Sequence, residues 1–192
     1  MPTQNYLSVL VLFLLFALLG GRAMAMRKKG IRAIVFGQTD KSDFLLIPVF
    51  PLIAYAVLAR AFGLPMWDPL IKPFWETTVP GWVGLALCVT ALTGFAATLK
   101  SFGDSFRVGI DEQKPDKLVT GGMFAASRNP IYVCIILFFF GLFLMHRNLL
   151  ITAAVVLFPL VIHRQVLREE IFLRKHYGDE YEEYCKKVRR YL

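Results

Sequence analysis

The sequence predicts an all-α, polytopic integral membrane protein with about five transmembrane helices and a cytoplasmic C-terminal helical tail. Three observations carry that expectation. Of 192 residues, 56% are hydrophobic, above the roughly half usual for a soluble domain even when glycine is counted. Several long runs hold no charge, the pattern of membrane spans. The Lys and Arg residues gather in alternate loops, and such a bias sets orientation across a bilayer.

Tyr6 to Gly21 is apolar and leucine-rich and is extended by Ala23 to Met26, giving a first span in which Arg22 snorkels. A basic loop follows, with Arg27, Lys28, Lys29, Arg32 and Lys41. Phe44 to Phe62 forms the second span, with a kink expected at Pro48 and Pro51. Gly63 to Pro80 is a proline-rich loop whose Trp67, Phe74 and Trp75, with Trp82 beyond, suit an interfacial aromatic belt. Gly81 to Leu99 is the third span. Its small residues, Gly84, Ala86, Ala91, Gly94, Ala96 and Ala97, permit close helix approach.

Lys100 to Ser127 is a polar loop, long enough to be functional or disordered. Pro130 to Met145 and Leu149 to Ile162 are two more apolar runs joined only by His146-Arg147-Asn148, which predicts an antiparallel helical hairpin. The second of these should continue into water past His163, through Arg164, Arg168, Glu169, Glu170, Arg174 and Lys175, until Gly178 breaks it. The last segment carries Asp179, Glu180, Glu182 and Glu183 first and Lys186, Lys187, Arg189 and Arg190 last, an order that suits the dipole of a surface helix. The chain therefore divides into three N-terminal spans, 1–99, and a region 100–192 of loop, hairpin and tail that carries the candidate chemistry.

Five spans place the loop around Arg27 to Lys41, the loop 100–127 and the tail on one side. These hold most of the basic residues, so that side is cytoplasmic. The net charge of +8 is accordingly assigned to orientation and anionic lipid rather than to nucleic acid. The first run has no basic residue before it, which argues against a cleaved signal peptide. Cys88, Cys134 and Cys185 have neither metal-ligand nor CxxC spacing and read as free thiols.

The stretch 118–132, LVTGGMFAASRNPIY, leads from a charged loop into an uncharged run. Gly121 and Gly122 allow a turn or a close approach, and Pro130 can open a helix. Arg128 beside that helix start offers an anion site. The plain alternative is a loop followed by a membrane helix with a snorkelling arginine. Glu169 and Glu170 allow two readings as well. One is a solvated surface helix in which Gln165 stacks under Glu169. The other is a carboxylate facing a polar pocket at the membrane mouth. His163 is a candidate base, but no second His or Cys stands at metal spacing. No serine has a base at recognisable spacing, and neither a Rossmann nor a P-loop fingerprint occurs. Tyr177, Tyr181 and Tyr184 read as packing residues.

LVTGGMFAASRNPIY, an apolar hairpin, and then REEIFLRKHYGDEYEEYCKKV together resemble the isoprenylcysteine carboxyl methyltransferase family, which is related to the membrane phospholipid N-methyltransferases. The resemblance covers roughly the last 80 residues; the first three spans carry no recognisable signature. It implies an S-adenosylmethionine-dependent membrane methyltransferase, with S-adenosylhomocysteine as product and a lipid-like or prenylated substrate. It implies cofactor binding by Asp116, Lys117, Leu118, Val119, Phe124, Asn129, Pro130, Ile131, Tyr132 and Glu169, with Arg128 and Glu170 beside Glu169 as candidate catalytic residues. Asn129 stands where histidine is commoner. Gln165 stands where the eukaryotic carboxyl methyltransferases tend to carry a substrate-side arginine, leaving Arg164 or Arg168 to compensate. Phospholipid N-methylation, NADPH-dependent reduction on a related membrane architecture, and a non-catalytic membrane protein are the alternatives. No metal is expected.

Overall fold

The computed structural model describes residues 2–30, 49–103 and 118–192. Among them the chain is all-helical. The order is α1 (Pro2–Lys28), α2 (Val49–Phe62), α3 (Asp68–Ile71), α4 (Val79–Phe102), a 3-10 turn (Gly122–Ala125), α5 (Pro130–His146), α6 (Leu149–Tyr177) and α7 (Asp179–Lys187). Thr3–Lys28, Val79–Phe102 and Leu149–Tyr177 are long and apolar enough to cross a membrane; α2 and α5 are shorter apolar helices. Large apolar side chains face outward along them, Phe13, Val156 and Leu160 among them, as expected where the surrounding solvent is lipid rather than water.

The predicted elements appear with shifted ends. The first helix runs past both expected limits, and Arg22 donates to the carbonyl of Gly103, the C-cap of α4, rather than only reaching for solvent. Pro48 and the basic residues Arg32 and Lys41 lie outside the described residues. Pro51 sits in the first described turn of α2, where proline is tolerated. The fifth apolar run continues as a single helix past His163 to Tyr177, through Pro159, and Gly178 ends it.

The core is a mixed aromatic and aliphatic cluster drawn from α1, α2, α4, α5 and α6, with Leu15, Ile53, Phe95, Phe138, Leu142 and Ile162 each at most 2% exposed. Phe139 and Phe158 pack at 4.8 Å between ring centroids, and Phe50 meets Phe158 edge-on at 5.5 Å. The most extensive helix pair is α4 against α5. Its closeness depends on two glycines. A Cβ at Gly84 would lie 2.4 Å from the Gly141 carbonyl oxygen, and one at Gly141 would lie 2.7 Å from the Gly84 carbonyl oxygen and the Cys88 sulfur. In a membrane, small residues that let backbones approach replace the hydrophobic drive between helices. Gly141→Leu is expected to lower the thermal unfolding temperature in detergent, by an overpacking cost of about 1–3 kcal/mol or more. Gly20→Leu, at a position with nothing within 4 Å, should leave it unchanged. Equal behaviour of the two variants would refute this account of the α4–α5 contact.

Candidate active site

Four segments converge at the N-terminal end of α5: the loop from Leu118, the turn 127–129, the outer half of α6, and the C-terminal residues after α7. The loop is anchored first. Ser101 on α4 accepts from the Met123 N–H at 3.1 Å. Gly122 lies against the same hydroxyl: it has φ 62°, and a Cβ there would sit 2.4 Å from the Ser101 Oγ. Gly122 therefore needs to be glycine twice over, by dihedral angle and by space. Gly121 has extended backbone and open space around it, so only one of the two expected glycines is required.

Phe124 is buried, edge-on to Phe102 at 4.5 Å. The Tyr184 hydroxyl donates to the Phe124 carbonyl at 2.6 Å. Tyr181, Tyr184 and Phe124 form an apolar cluster that Leu118 and Val119 join, so the loop is tied to α7. Burial pushes the Tyr184 phenol up to about 12. Burial, and then the negative charge of Glu170, raise that of Tyr181. Both hydroxyls thus stay protonated. Asp116 and Lys117 lie outside the described residues.

The turn that follows is fastened to the C-terminal segment. Arg128 N–H donates to the Arg189 carbonyl at 3.0 Å. The Asn129 side-chain amide donates to the Arg190 carbonyl at 3.1 Å, and Ser127 Oγ donates to the same oxygen at 3.4 Å. Asn129 is the N-cap of α5, but its side chain does not cap the helix. Pro130 then opens α5, while Ile131 packs against the core.

The paired glutamates part company here. Glu170 is 4% exposed. Arg128 Nη2 stands 3.1 Å from its Oε1. Arg190 takes it as a fork, Nε to Oε1 at 3.0 Å and Nη2 to Oε2 at 2.8 Å, the geometry that suits guanidinium to carboxylate. Arg128 also contacts the Cys185 sulfur through Nη1, and its Nε is buried with no hydrogen-bond partner. Glu169 points elsewhere. Its Oε1 accepts from the Tyr132 hydroxyl at 2.6 Å and from Gln165 Nε2 at 3.2 Å. The sequence-predicted stacking of Gln165 under Glu169 is therefore present. Arg164 is exposed and Arg168 half-buried further back along α6. His163, the candidate base, is exposed and meets the Tyr191 hydroxyl at 2.8 Å through Nδ1.

The structure thus brings Arg128, Asn129, Pro130, Tyr132, Gln165, Glu169 and Glu170 together across an interval of nearly forty residues. Arg190 and its neighbours were not foreseen. In sequence they read as the basic end of the last helix, whereas the helix stops at Lys187 and Arg190 returns beneath the turn. A bidentate partner for one of two adjacent glutamates leaves no periodic signal.

Fold and site define a multi-pass membrane protein with a polar, charge-matched centre where two apolar helices emerge. Comparison with known proteins places it further. The family model for phospholipid methyltransferases matches residues 79–180, just over half the chain, taking in the turn 127–129 and both glutamates but stopping short of Arg190. A protein of Oryza sativa subsp. indica, "Probable protein-S-isoprenylcysteine O-methyltransferase", is 32% identical over 152 residues, covering 76% of this chain and 73% of the rice protein. A "Protein-S-isoprenylcysteine O-methyltransferase" of Schizosaccharomyces pombe is 26% identical over 203 residues, covering 81% of this chain and 84% of the yeast protein. An "Uncharacterized protein" of Haemophilus influenzae is 40% identical along its whole length, which corresponds to 32% of this chain. No solved structure matches the chain. The chain belongs to the phospholipid methyltransferase family, as an isoprenylcysteine carboxyl methyltransferase-like membrane enzyme.

Proposed function

We propose that this protein transfers a methyl group from S-adenosylmethionine to the polar end of a lipid-like substrate, the α-carboxyl of a C-terminal isoprenylated cysteine foremost. The observation that carries the site is the 2.6 Å bond between Tyr132 on α5 and Glu169 on α6, which joins the two halves of the motif. The residues present suit the cofactor. Glu169 is a carboxylate fit for an ammonium or ribose diol, and the buried Arg128 Nε still has a donor to give. The first turn of α5 adds N–H groups that have no acceptor within the helix.

When bound, S-adenosylmethionine would supply a sulfonium methyl group for transfer to a carboxylate oxygen, with a methyl ester and a thioether as the products. No proton is removed from a carboxylate nucleophile, so the chain's task is positioning and exclusion of water. Glu169, oriented by Tyr132 and Gln165, would hold the cofactor. Glu170 and Arg190 act as positioning residues that fix Arg128 and the turn. Arg164 and Arg168 face the substrate's anionic group. Leu118, Val119, Phe124, Asn129, Pro130 and Ile131, with Asp116 and Lys117 before them, complete the cofactor side. In this reading α1, α2, α4, α5 and α6 all cross the bilayer. Residues 1–99 provide the frame, 100–192 the catalytic region, and the site opens on the cytoplasmic side, where the positive-inside rule sets the basic loops.

The test is transfer of radiolabelled methyl to a farnesylated cysteine analogue by the purified protein in detergent. A base-labile labelled ester is the expected product. No labelled ester, together with labelled phosphatidylethanolamine, would overturn the carboxyl assignment and make the acceptor an amine.

A further inference from the structure

The other end of α5 holds a second polar centre, which methyl transfer does not use. His146, Arg147 and Asn148, the α5–α6 turn, are at most 3% exposed. Asn148 is fully engaged: Oδ1 accepts from the Ile151 N–H at 2.9 Å, and Nδ2 donates to the Ile71 carbonyl at 3.4 Å. His146 Nε2 pairs with Ser8 Oγ at 2.9 Å. Arg147 is different. Its Nη1 donates to the Leu144 carbonyl at 3.0 Å, but its Nε is buried with no partner. None of the ion pairs among the described residues includes it.

The nearby charges make this worse rather than better. Arg60, at the end of α2, acts on Arg147 as a like charge, and the acidic group that acts on it, Glu76, is exposed. Burial and then Arg60 hold the Arg147 pKa below the ordinary arginine value, with Glu76 opposing them. A buried cation without a counter-ion is strongly unfavourable. Arg147 is also the one non-glycine at positive φ among the described residues, at 47°. That position at a helix end is usually glycine or asparagine, and strain of this kind persists where a site over-determines it. The Nη1 bond to the Leu144 carbonyl leaves the buried Nε donor unused.

We propose that Arg147 binds a phosphoryl oxyanion at this turn, carried by the headgroup of an anionic lipid in the leaflet away from Glu169. Guanidinium is the group suited to fork onto phosphate oxygens. The exposed Trp67, Phe74, Trp75 and Trp82 stand on the same side of the molecule, as a belt at headgroup depth does. The lipid supplies the missing negative charge and so stabilises the α5–α6 turn and the loop that Phe74 fastens to the Arg147 carbonyl.

Thermal unfolding in maltoside micelles tests this, with phosphatidylglycerol, uncharged diacylglycerol or inorganic phosphate added. Wild-type protein should gain several degrees with phosphatidylglycerol over diacylglycerol. Arg147→Gly, which suits the left-handed backbone and so should fold, loses that gain. A gain from inorganic phosphate as well assigns the site to the oxyanion alone, whereas a gain only from the lipid assigns it to the headgroup with its chains. No gain in wild type from either, or an undiminished gain in Arg147→Gly, overturns the site. The inference stands apart from methyl transfer, so its failure leaves that reading untouched.

Discussion

Glu170→Ala should release the C-terminal segment and abolish activity without touching a reactant. The carboxylate is 4% exposed and holds two guanidiniums at 2.8 to 3.1 Å. Removing it leaves Arg128 buried with its charge unmatched. Breaking a buried pair from one side costs about 3–5 kcal/mol. The Arg190 arm contributes less, since that side chain is about one-third exposed. The loss is therefore felt chiefly at the turn 127–129, which is also fastened to Arg189 and Arg190 by backbone carbonyls. Hydrogen exchange of the tail reports it directly. Protection of residues 181–191 should fall in Glu170→Ala, while α1 and α4 keep theirs. Glu170→Gln, which retains acceptor capacity and volume, should lose less. Unchanged protection in Glu170→Ala would show that the clamp does not hold the tail.

Glu169→Ala should behave in the opposite way, keeping the fold and losing the cofactor. Its bonds to Tyr132 and Gln165 lie between side chains that are half-buried, so neither neighbour is stranded in a dry interior. A hydrogen bond to a charged group is worth about 1.5–3 kcal/mol, which corresponds to roughly 10- to 100-fold in the affinity for S-adenosylhomocysteine. Tyr132→Phe removes the orienting hydroxyl while leaving the carboxylate, and should weaken binding by a smaller factor. Full affinity in Glu169→Ala alongside an unchanged unfolding temperature would return this side chain to the solvated-surface reading.

The two glutamates illustrate how far sequence reasoning reached. Helical spacing put Gln165 beneath Glu169, and the short His146-Arg147-Asn148 link predicted the hairpin that returns α6 to the start of α5. Together with motif order, these were enough to expect the two stretches to meet. Which glutamate faces which partner was not legible. Adjacent residues on a helix point about 100° apart, and the partner that separates them, Arg190, comes from a segment beyond α7 whose path no periodicity encodes. The same holds for Arg147. A three-residue turn reads as a link, and only packing reveals that its arginine is enclosed. The glycines divide likewise. Small residues along α4 predicted a close helix contact, but that Gly84 meets Gly141 depends on the register between two helices, which composition leaves open.

The proposed methyl transfer requires a binding site for the methyl donor beside the Tyr132–Glu169 contact. Calorimetric titration of the detergent-solubilised protein with S-adenosylhomocysteine, and in parallel with NADPH, tests it most directly. Saturable heat from S-adenosylhomocysteine and none from NADPH is the predicted result. Binding of NADPH in its place, or no binding of either, would contradict it.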